Sequence, residues 1–124
     1  MSKPSDYERL ARITNTAMDS AQAKMQALLT EEEALRSQLA SLQSARHQMV
    51  QNGGNTQAIG ADVKWQVWID HRREELNHEL ARVFVQKDAA RSALKRAFGK
   101  DQTVQALLKR QRLAKLLAQQ RQLS

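Results

Sequence analysis

A chain of 124 residues carrying a net charge of +7, with 27% charged and only 4% aromatic side chains, is too poor in large rings to fill a three-layer globular core. Four glycines and the single Pro4 leave long stretches without a helix breaker, and the absence of cysteine excludes disulfides and thiolate metal sites. Alanine, leucine, glutamine, lysine, arginine and glutamate dominate, the composition of long helices and coiled coils. The expected fold is all-α, a long antiparallel two-helix coiled-coil hairpin forming one domain over residues 1–124.

The opening Met1-Ser2-Lys3-Pro4-Ser5-Asp6 lacks the apolar run of a signal peptide, and no window approaches the ~20 apolar residues that cross a bilayer. A soluble, non-exported protein is expected. Ser5 or Asp6 can cap a first arm over about 6–51, with Glu8 completing the cap. A seven-residue frame then runs through Tyr7, Thr14, Ala21, Leu28, Leu35, Leu42 and Met49. It is matched by Ala11, Met18, Met25, Glu32, Leu39 and Arg46. Ten of these thirteen are apolar, soft (Ala, Met) toward Tyr7 and leucine-rich toward residue 50. Thr30-Glu31-Glu32-Glu33 has capping-box spacing, yet the leucine frame resumes in phase at Leu35. A solvated patch within one continuous helix is therefore predicted.

The loop is placed at 52–61, where Asn52-Gly53-Gly54 ends a helix through positive φ and Asp62 caps the next. The second arm spans about 62–98. Leu76, Leu80, Val83, Ala90, Leu94 and Ala97 repeat at helical spacing. At Gly99 the chain either breaks, with Asp101 capping a fresh helix over 101–121, or runs straight through at ~1 kcal/mol. Val104, Leu107, Leu108, Leu113, Leu116 and Leu117 form the apolar face of that last segment, beside Lys109, Arg110, Arg112 and Lys115. Paired outward from the turn, the second arm exceeds the first by about fifteen residues. This face then either folds back or is covered by another protein.

The charge is uneven. Residues 1–51 balance six basic against six acidic side chains, whereas residues 89–124 hold nine basic ones against Asp101 alone. Such an end is either a solubilising face or a contact for an acidic protein, nucleic acid or an anionic membrane. The tail lacks the interleaved aromatics that stack on bases, and no helix-turn-helix or zinc pattern accompanies it, so nucleic acid is the weaker partner class. Trp65 and Trp68 either lock the turn against Leu42 and Met49 or anchor a partner. His71, Glu75 and His78 share a helical face, but Arg72 and Arg73 beside them oppose a cation. No phosphate loop or catalytic Ser/His/Asp order is present, so neither an enzyme nor a cofactor is expected.

With the Trp65/Trp68 opening, the run Arg73-Glu74-Glu75-Leu76-Asn77-His78-Glu79-Leu80-Ala81, the Ala97-Phe98-Gly99-Lys100 junction and the basic end, the chain resembles the stalk proteins of flagellar and virulence-type secretion, the FliJ/YscO-type family. The resemblance implies a hairpin similar to the shaft of rotary ATPases. It would sit in the hole of a hexameric export ATPase and promote its turnover. Further partners implied are the export gate protein and export chaperones. The implied location is the cytoplasm, peripheral to the inner membrane at the export apparatus. Partner contacts are expected at Lys109, Arg110, Arg112, Leu113, Lys115, Leu116, Leu117, Trp65 and Trp68. The alternative is a basic coiled-coil adaptor or nucleic-acid-associated protein. Dimers or four-helix arrangements stay open, because an isolated hairpin buries little area.

Overall fold

The structure, a computed structural model, describes residues 5–52 and 59–123. It is an all-α helical hairpin of α1 (Asp6–Asn52) and α2 (Ile59–Leu123). The predicted turn at Gly53-Gly54 lies outside the described residues. Both arms reach further into the expected loop than the sequence suggests, so Asp62 falls in the first turn of α2 rather than ahead of it. There its carboxylate still meets the positive end of the helix dipole. The start of α1 is a reciprocal capping box. The Glu8 backbone N–H donates to Ser5 Oγ (3.2 Å), and the Ser5 N–H donates to Glu8 Oε2 (3.3 Å).

The helices divide into two compact units, Ala27–Asp88 on the one hand and Met1–Gln26 with Ala89–Ser124 on the other. In Ala27–Asp88, Leu35, Leu76, Leu80 and Val83 form the core, with Leu39 and Leu42 packed against it. Ile69, Leu76 and Val83 are the large side chains removed from solvent entirely. Each contributes ~1.5–3 kcal/mol by burial. The two helices of this unit run antiparallel: Arg46 pairs with Asp70 (3.6 Å), Arg72 reaches Gln38 (3.2 Å), and Lys87 reaches Glu32 (2.7 Å). In the other unit Ala11 packs with Val104 and Leu108. Of the thirteen positions in the predicted frame, Tyr7 alone is exposed. All six residues of the α2 stripe are buried or half-buried.

Thr30-Glu31-Glu32-Glu33 lies inside the unbroken α1, as the phase of the leucines requires. It is not a fully solvated patch, however. Glu32 occupies a seam position and is buried. Its Oε2 accepts from Lys87 Nζ at 2.7 Å and its Oε1 faces Arg36 at 2.8 Å. Phe84 lies under both cations, with its ring centre 5.7 Å from each. The hydrogen bond from Lys87, aided by the charges of Arg36 and Lys87 against the cost of burial, holds the Glu32 carboxyl below its ordinary pKa of 4.5.

At Gly99 the helix continues without a break and without positive φ. The Gly99 carbonyl instead accepts from the Thr103 hydroxyl at 3.0 Å. Asp101 therefore caps no new helix. It takes a hydrogen bond across the seam from Thr14 Oγ1 at 2.9 Å, with the Ala11 carbonyl as that hydroxyl's other acceptor at 3.2 Å. Among the described residues no buried side-chain nitrogen or oxygen lacks a partner.

Two predictions follow from these substitutions in the seam and helix. An added Cβ at Gly99 meets nothing within 4 Å. Gly99→Ala should therefore stabilise the chain by about 0.5–1 kcal/mol, read from a urea melt. Because the folded pKa of Glu32 is depressed, its stabilisation is complete above pH 4.5 and disappears as pH falls through the lower folded value. Glu32→Gln should thus lower the melting temperature at neutral pH, and the gap from wild type should narrow as the pH falls below 4.5.

Candidate functional site

The pairing of Ala11 with Val104 and Leu108 sets where α2 loses its mate. In an antiparallel pair, Asp6 falls level with Lys109 to Leu113. Val104 and Leu108, placed by the sequence on the apolar face of the last segment, belong to the core. From Arg112 to Leu123 every residue of α2 is exposed. Leu113, Leu116 and Leu117 lie on one face by their spacing and remain 57%, 58% and 48% exposed. Three leucines on adjacent turns are an apolar patch of the kind that marks a binding surface.

The cations are interleaved with this face. Lys109 stands one turn before Leu113 and Arg112 one turn before Leu116, while Arg110 and Lys115 flank the stripe. Among the described residues none of these four takes part in an ion pair. A surface complementary to this face would offer both apolar area and negative charge.

The tryptophans lie in the other unit. Trp65 is half-buried, and Trp68 is 56% exposed. Trp68 borders a shallow depression of about 300 Å³ with Leu42, Arg72 and Leu76. Leu42 lines the same depression, and Trp68, Val67 and Val63 are all exposed. Trp68 is available as an apolar anchor.

On the face of His71, Glu75 and His78, the Glu75 carboxylate is taken up by its neighbours. His71 Nε2 meets Glu75 Oε1 at 2.8 Å and Arg72 meets Glu75 Oε2 at 3.1 Å, so both carboxylate oxygens are engaged. Among the described residues no group of three His, Cys, Asp or Glu side chains is placed to hold a metal. A depression of about 250 Å³ edged by Arg46, Arg73 and Asn77 includes neither a carboxylate nor a nucleophile.

None of the described helices is long and apolar enough to cross a membrane. No protein-family model matches the chain, and no curated protein matches it.

Proposed function

We propose that this chain is a stalk component of a flagellar or type III protein-export apparatus, with the basic run of α2 seated in the hole of a hexameric export ATPase. The observation that carries the reading is the bare face of Leu113, Leu116 and Leu117 set among cations without ion-pair partners. The leucines pack on an apolar ring surface while Lys109, Arg110, Arg112 and Lys115 meet acidic loops. A two-helix seam suits the task, because coiled-coil packing gives stiffness along an axis with little girth. Trp68 supplies a second anchor, fitting contact with the export gate protein or an export chaperone. On this reading the protein works in the cytoplasm, peripheral to the inner membrane. The resemblance to the FliJ/YscO-type stalks supports the same assignment.

The structure also sets where to cut. Leu108 is part of the core, so a chain ending after Gln111 keeps its packing while losing the exposed leucines. Such a chain, and full-length Leu113→Ser/Leu116→Ser/Leu117→Ser, should retain the parent melting temperature to within a few degrees. Both should lose stimulation of the export ATPase in a turnover assay. Stimulation equal to that of the parent chain refutes the assignment. Binding to duplex DNA whose logarithm falls linearly with that of the salt concentration would favour the nucleic-acid alternative.

A further inference from the structure

The unit made of Met1–Gln26 and Ala89–Ser124 carries a second surface, separate from the bare leucines. A groove of about 600 Å³ opens over Gly99. Its walls are Leu10, Val104 and Leu107, and its rim holds Arg96 and Lys100 one turn apart. Leu10 is 41% exposed although it borders the core. The two hydroxyls in the groove are already committed, Thr14 to Asp101 and Thr103 to the Gly99 carbonyl. The floor is therefore apolar in effect, and with no side chain on Gly99 the groove is open at its centre.

We propose that this groove docks an acidic amphipathic helix of another protein. Charge complementarity names the occupant. The unit holds thirteen basic and four acidic side chains, a net of +9, whereas Ala27–Asp88 holds seven basic and nine acidic, a net of −2. Arg96 and Lys100 form no ion pair among the described residues. A second copy meeting it groove to groove brings the same cations to the rim and is repelled. Nucleic acid would find no free donor on the floor and no aromatic to stack upon. A helix with leucines on one face and glutamates at its flanks satisfies both parts: one leucine seats over Gly99, and the glutamates meet Arg96 and Lys100. Missing bulk at that position lets the incoming side chain enter between ridges, as in ordinary helix packing. This surface stands independently of the stalk reading.

The probe is a synthetic helical peptide with leucines along one face and glutamates on both flanks, titrated into the full chain while the Thr103 and Val104 amides are followed by NMR. The acidic peptide should shift these amides, and a version with lysine for glutamate should not. Gly99→Leu should weaken binding by at least about tenfold while the melting temperature holds or rises, which separates loss of the groove from loss of the fold. Arg96→Glu with Lys100→Glu should weaken it comparably and remove most of its salt dependence. An affinity unchanged by Gly99→Leu overturns the proposal. So does a loss seen only in Leu113→Ser/Leu116→Ser/Leu117→Ser, which places the peptide on the bare leucines. Self-association through the groove, or equal shifts of the same amides by phosphatidylglycerol vesicles or a short DNA duplex, overturns it as well.

Discussion

The seam between α1 and α2 is a single row of side chains deep, and this thinness governs the rest. A row of leucines and alanines is nearly indifferent to a slip of one heptad, since each apolar side chain finds another of similar size. Polar pairs break that degeneracy. Glu32 is buried among apolar neighbours and is tolerable there only with Lys87 opposite and Arg36 beside it. A slip of one heptad would leave the carboxylate desolvated against Leu80 or Leu94, a cost that apolar contacts do not recover. Thr14 and Asp101 play the same part, with smaller energies, in their own unit. Each unit thus carries a buried polar clasp within a largely apolar seam.

That register has a direct bearing on the exposed surfaces. Because Ala11 is held level with Val104 and Leu108, the leucines beyond Gln111 have no mate on α1. Because Asp101 is drawn to Thr14, the α2 backbone passes through Gly99 as regular helix and its unfilled side faces outward. The polar clasp and the open groove are two results of one placement. The cations follow the same logic. Arg36 and Lys87 are consumed by Glu32 and Phe84, while Arg96, Lys100 and the four cations around the bare leucines are left for something else.

Much of the hairpin was legible in the sequence because period reports which face of a helix is inside. Twelve of thirteen frame positions and the whole α2 stripe lie in or beside the seam, and Tyr7 escapes because it sits in the first turn of α1. The Ser5–Glu8 cap was legible too, being local. What period does not report is register. Lys87 stands 55 residues from Glu32, and Asp101 stands 87 from Thr14. No local pattern joins either pair. Asp101 two residues after Gly99 resembles a helix start, and only the tertiary partner reveals otherwise. The bare leucines could be inferred from unequal arm lengths, but the inferred overhang of about fifteen residues begins a turn too early, taking in Leu108, which the core holds. The Gly99 groove left no trace at all, since glycine there reads as punctuation.

The stretch beyond Gln111 is helical with every described side chain exposed, so its order comes mainly from propagation out of the packed part of α2. Alanine, leucine, lysine, arginine and glutamine propagate well, but a dozen such residues in water sit near the helix–coil midpoint. Its amides should open at almost no free-energy cost, while those around Val83 open only with the whole fold. Any surface that encloses this stretch must therefore complete its winding as well as cover its leucines. The association carries an ordering entropy and a heat-capacity decrement larger than a rigid peg of equal area would show.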